Sequence, residues 1–236
     1  MSELLINSLE YLISFFDDYF PDEERIFLPG LSREEVINAF QSIDLPCPDE
    51  IITLYSWRNG TSSGFKSFSN FPPEFCFMPL HEVIEIYENF YRNSDDLECL
   101  DTIYQDYDTM NTENCLENIG INENHRMIHF VNAGDQFYSV IVTAENSYVL
   151  LYTEEGGGQD LCFQSLTSMF QTISASYQEG AYIIREDKEI ELEPELFKSI
   201  WERYNPLLAQ GPSSAVVDEY IEAQVEAQNE DDELWA

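Results

Sequence analysis

The sequence predicts a mixed helix-and-strand chain of the α+β type, and three observations predict it. Apolar residues recur at helical spacing in several separate stretches of the 236 residues. Three extended segments, Met127 to Val131, Gln136 to Thr143 and Ser147 to Tyr152, follow one another across short turns. A parallel crossover needs about a dozen residues, so these neighbours pair antiparallel. Hydrophobic residues make up 44% of the chain, with 16 Phe and 14 Tyr, which is ample for a packed core.

Residues 3 to 19 place Leu4, Leu5, Leu9, Leu12, Ile13, Phe16 and Tyr19 at mostly helical spacing, and the helix should end before Pro21. Residues 21 to 30 read as a loop closed by Pro29-Gly30. Ser32 begins a second helix, and Glu35 stands where a capping box needs it. A third helix is expected to start at Pro48, where a missing N–H costs nothing. It is expected to stop at Asn59-Gly60, where Gly tolerates the left-handed closing conformation. Residues 61 to 73 read as loop. Phe75, Phe77 and Met78 form a short strand, and Leu80 to Tyr91 returns to helix. Residues 93 to 125 read as an irregular insertion with nine acidic residues and no Lys or Arg. After the three strands, Gly156 to Gly158 marks a loop, and Ser165 starts a helix through Leu166, Met169, Phe170, Ile173 and Tyr177. Two parts are expected: a domain over residues 1–184 that includes the insertion, and an acidic helical extension and tail over 185–236. The extension holds one helix around Phe197, Ile200, Trp201 and Tyr204, and its last stretch has the composition of a mobile tail.

The charge narrows the class of partner. Forty-six Asp and Glu face ten Lys and Arg, a formal charge of -36. Such a field repels phosphates and anionic lipid, so neither nucleic acid nor a membrane surface is an expected partner. It attracts basic proteins over a range of about 8 Å at physiological salt. The other readings of the charge are solubility and salt adaptation; the abundance of Phe, Tyr, Ile and Leu speaks against the latter. The five cysteines include no C-x-x-C pair, no basic n-region opens the chain, and no apolar run is long enough for a bilayer. A cytoplasmic location is the expectation.

Few constellations carry chemistry. Among so many acids, close carboxylate pairs arise by chance and do not indicate acid–base catalysis. His125 and His129 are four apart but on a strand, too far apart to chelate one metal, and His81 stands alone. Asp106, Asp108 and Glu117 match three positions of a calcium loop, yet Met110 takes a ligand position and Asn111 replaces the turn Gly. The Gly156–Gly158 run lacks the following G-K-[ST] of a phosphate loop. No catalytic residue, metal site or cofactor is expected. The acidic insertion has two readings that stay open. It is either a solvated loop or a surface complementary to a basic partner. In the second reading Asp101, Asp106, Asp108, Glu113 and Glu117 supply charge, and Tyr104 and Tyr107 act as anchors.

An ordered series of short motifs runs through the middle of the chain. Leu45-Pro46 precedes a helix carrying Tyr55, then Asn59-Gly60, a strand, and Pro79-Leu80 at a helix start. Ile128 to Asp135, with Gly134-Asp135 at its turn, leads to Phe137 and a hydrophobic strand; Phe163, Ser165, Leu166 and Phe170 close the series. This order resembles the SUKH superfamily, the Smi/Knr-like domains, over roughly residues 31–183. There are departures: Ala39 stands where an acidic residue is expected, and Thr61 follows Asn59-Gly60 where a second Gly is expected. The insertion and the C-terminal extension lie outside the usual domain.

The resemblance implies an α+β domain with a central, mostly antiparallel sheet flanked by helices. It also implies function by protein binding, not catalysis. Many bacterial members look like immunity proteins that block toxin domains, often nucleases, and others are regulators or scaffolds. The matching positions Leu45, Pro46, Tyr55, Asn59, Gly60, Gly134 and Asp135 would shape caps, core and a turn. A basic toxin domain is thus the expected partner, a cellular protein the alternative. A metal-assisted enzyme would rest on carboxylate abundance alone. The oligomeric state is not encoded in any feature of the sequence.

Overall fold

Periodic apolar residues produce the helices in the expected order. The computed structural model describes residues 3–19, 27–61, 76–89, 126–133, 136–143, 146–153, 159–185, 190–209, 217, 218 and 221. Helix α1 (Glu3–Tyr19) buries Leu5, Leu9 and Leu12 completely, one stripe at helical spacing. Helix α2 (Arg33–Ser42) opens on the expected capping box. The Ser32 N–H donates to Glu35 Oε2 at 2.8 Å, and the Glu35 N–H donates to Ser32 Oγ at 3.2 Å. Two orphan donors of the first turn are thereby satisfied.

Helix α3 (Asp49–Trp57) departs from expectation at both ends. Pro48 is extended (φ −66°, ψ 154°) and precedes the helix instead of opening it. The helix stops at Trp57, because Arg58 is already extended (φ −149°, ψ 146°) and begins strand β2 (Arg58–Thr61). Asn59-Gly60 therefore lies in a strand and does not close the helix. Strand β1 (Phe27–Pro29), inside the expected loop, pairs antiparallel with β2, with Phe27 opposite Thr61 and Pro29 opposite Arg58.

The central sheet is built from strands β3 (Cys76–Phe77), β4 (Arg126–Ala133), β5 (Gln136–Val142), β6 (Ser147–Thr153) and β7 (Gln159–Phe163). They lie side by side in chain order and pair antiparallel throughout. Residues Phe137 to Val142 of β5 are all buried, so both faces of this strand are covered. Helix α4 (Leu80–Tyr87) packs on β4, and helix α5 (Leu166–Glu179) packs on β6 and β7. The α+β class and the antiparallel sheet flanked by helices are as expected.

The boundary expected at 184/185 falls inside a hairpin. Strand β8 (Tyr182–Ile184) pairs with β9 (Ile190–Leu192), and helix α6 (Pro194–Tyr204) follows. Phe197, Ile200 and Trp201 are buried in the same hydrophobic cluster as Leu5, Phe40, Val140 and Phe170. Leu192 and Leu208 join the same cluster. The mobile tail expected at the C-terminus lies almost wholly outside the described residues. Among the described residues no helix is long and apolar enough to cross a membrane.

Candidate functional site

Leu45 and Pro46 terminate α2. The Leu45 N–H donates to the Phe40 carbonyl at 3.1 Å and the Asp44 N–H to that of Gln41 at 3.2 Å. This is the paired closure of a Schellman end, with Asp44 in the left-handed position (φ 58°) and Pro46 barring continuation. Leu45 packs partly buried against the core.

Tyr55, Asn59, Gly60 and Thr61 converge on one segment, residues 77–80. The Tyr55 hydroxyl donates to the Met78 carbonyl at 3.3 Å, and its fully buried ring packs on Phe77 at 5.3 Å. Burial pushes its phenol well above the usual range. Asn59 Oδ1 accepts from the Leu80 N–H at 2.9 Å. That supplies the cap for α4 which Pro79, having no polar side chain, cannot. Gly60 takes φ +79°, and a Cβ there would stand 2.3 Å from Pro79 N. Thr61 Oγ1 donates to the Phe77 carbonyl at 3.0 Å. The Tyr55 and Thr61 hydroxyls and the Asn59 side-chain oxygen thus engage backbone, and the cluster docks α3–β2 onto β3–α4. It is a structural joint, with the Gly60 φ arising from close approach and not from helix closure.

A second joint has no signature in the sequence. Glu50, in the first turn of α3, accepts from the Thr167 N–H at 3.1 Å and from the Ser147 hydroxyl. Ser147 Oγ also accepts from the Leu166 N–H at 3.4 Å. A carboxylate on one helix thereby serves the positive N-terminal end of α5. The partners lie about a hundred residues apart in sequence, and no local pattern records them.

Among the described residues one nucleophile–base pair stands within hydrogen-bond reach, and both side chains are buried. His129 Nδ1 and Ser139 Oγ lie 2.6 Å apart, directly opposite each other on β4 and β5. His129 is 3% exposed and Ser139 0%. Burial lowers the imidazole pKa to about 4. The pair is a polar contact inside the sheet, backed by the Phe137 ring at 4.6 Å from the His129 ring. His125 lies outside the described residues. No cluster of His, Cys, Asp or Glu among the described residues is arranged to hold a metal ion.

Arg33, Arg58, Arg185, Lys198 and Arg203 engage groups of the protein itself. Arg33 bonds Asp49 at 2.9 Å, Arg185 bonds Glu191 at 3.0 Å, and Lys198 bonds Asp218 at 2.6 Å. Arg203 clasps Glu179 through two bonds of 2.9 and 2.8 Å. Arg58 lies 5.3 Å from the Trp57 ring centre and donates to the Trp57 carbonyl. Hydrogen bonds from Arg33 and Arg203 hold Asp49 and Glu179 below the usual carboxylate range. Exposed carboxylates remain at Glu34, Asp44, Glu85, Glu195 and Glu202. The surface candidates Asp101, Tyr104, Asp106, Tyr107, Asp108, Glu113 and Glu117 lie outside the described residues, as do Met110, Asn111, Gly134 and Asp135. Comparison with family models and with curated proteins finds no match.

Proposed function

We propose that this chain is a protein-binding module of SUKH type that engages a basic protein, in the immunity form a nuclease-like toxin domain. The observation that carries the reading is the charge: ten cations against 46 acids, with Arg33, Arg185, Lys198 and Arg203 each bonded to a carboxylate of the chain itself. A basic surface brought against such a field gains association rate and relieves like-charge repulsion among the carboxylates. The ordered motifs around Tyr55 and Asn59-Gly60 support the same reading, because they build a scaffold and bring no reactive group to the surface. The contact surface in this proposal is the acidic insertion, with Asp101, Asp106, Asp108, Glu113 and Glu117 as charge and Tyr104 and Tyr107 as anchors.

The test is a charge reversal on an isolated complex. The partner is captured from the native cell with the full chain as bait and identified by mass spectrometry. Asp106→Lys, Asp108→Lys, Glu113→Lys and Glu117→Lys are then combined in one variant. The proposal expects a basic partner and a dissociation constant weakened at least about a hundredfold. An unchanged constant would reject the insertion as the contact surface, and an acidic or neutral partner would reject the electrostatic reading.

A further inference from the structure

We infer that Lys198 is a charge latch that holds the turn bearing Val217, Asp218 and Ile221 against α6. The Lys198 Nζ donates to both Asp218 carboxylate oxygens, at 2.6 and 2.9 Å. Glu195 and Glu202 stand on the same face of α6, three residues before and four after Lys198. The bond to Asp218, with help from Glu202 and Glu195, raises the lysine pKa above its ordinary value. One cation therefore answers three carboxylates. The turn itself is anchored by only two described apolar side chains, Val217 (4% exposed) and Ile221 (8%), at the spacing of one helical face. Beside them lies an open polar groove of about 310 Å³, with Pro194 and Ile221 as its apolar wall and Ser199 on its lining.

The consequence is a two-position device. With Lys198 charged, Asp218 is occupied and the turn is docked. With that charge removed or engaged elsewhere, Asp218 faces Glu195 and Glu202 without compensation, and like-charge repulsion favours release. Release opens three carboxylates to any cationic group. The inference concerns the chain alone and stands independently of the binding proposal.

Hydrogen exchange of the full chain, read by mass spectrometry, tests it. In Lys198→Gln the peptide spanning Val217 to Ile221 should exchange about three- to tenfold faster than in the wild type, while α6 keeps its protection. Lys198→Arg should restore wild-type protection, and Asp218→Asn, which removes the ion pair and the repulsion together, should exchange faster than the wild type but more slowly than Lys198→Gln. Unchanged exchange in Lys198→Gln overturns the latch. So does a loss of protection spread equally through α6, which would make Lys198 a support of the core helix.

Discussion

The Trp201 indole N–H donates to the Cys162 carbonyl oxygen at 2.7 Å, across 39 residues of chain. Cys162 lies on β7, the edge strand of the central sheet, and an open edge carries unpaired backbone groups that invite foreign strands. Helix α6 reaches this strand through the Trp201 indole. Next to the indole bond, the Gln164 N–H donates to Asn205 Oδ1 at 3.1 Å, and Asn205 is completely buried. Trp201 and Asn205 therefore satisfy backbone groups at the end of β7 and just beyond it.

It follows that Trp201→Phe should lower unfolding free energy by about 1–3 kcal/mol, since it removes a buried hydrogen bond while keeping most of the apolar area. Removal of residues 185–236 should abolish the cooperative transition altogether. Urea denaturation followed by circular dichroism measures both. A 1–184 fragment that unfolds cooperatively with wild-type stability would show that α6 is dispensable.

Sequence and structure agree where apolar period is strong and segments are long. The stripe of Leu5, Leu9 and Leu12 and the Ser32–Glu35 box are both fully local, and both read directly. Strands β8 and β9 have three residues each, too few for alternation to show, and the stretch from Glu186 to Glu195 is nearly all charge. Strand β7 hid behind the Gly156–Gly158 run. The end of α3 differs from the expectation because a left-handed Gly is equally at home in a helix cap and in a close backbone crossing; only the position of Pro79 decides between them. Of the motif cluster, the residues were legible and the shared target, residues 77–80, was not. Glu50 and Trp201 act across distances in sequence that no local pattern encodes.

The glycines offer a graded series. Gly60→Ala meets both a positive φ and backbone atoms at 2.3 to 2.7 Å, so it should cost about 3 kcal/mol or more. Gly30→Ala places its Cβ 1.9 Å from the Ser56 carbonyl oxygen and should also be severe. Gly180 shares the positive φ (+85°) but has nothing within 4 Å, so Gly180→Ala should cost only about 1 kcal/mol. Thermal or urea unfolding of the three variants checks the order; equal losses at Gly60 and Gly180 would contradict the close approach to Pro79.

Asp44 is the one non-glycine among the described residues with positive φ, at 58°. It occupies the position where a Schellman end takes Gly. Asp44→Gly should therefore stabilise the protein by about 0.5–1 kcal/mol, visible as a rise in the urea midpoint. A lower midpoint would mean that the Asp side chain contributes more than its backbone costs.

His129 makes stability depend on pH in a defined window. Its folded pKa, about 4, lies below the ordinary 6.5, so the unfolded chain takes up the proton first. Its share of stability is complete above the ordinary value and is lost as pH falls from there to the folded value, by about 3 kcal/mol in full. The carboxylates titrate toward the acid end of the same window, so the reading is a difference. In His129→Gln the fall in unfolding free energy between pH 6.5 and pH 5 should be shallower than in the wild type. Parallel curves would remove His129 as the cause.

The central claim is that this chain recognises a basic protein through its negative field, and association kinetics test it most directly. The rate constant for binding the captured partner is measured by stopped flow across a salt series. The account predicts a fall of about tenfold or more from low to high salt, with dissociation changing far less. An association rate that stays flat across the series would contradict it.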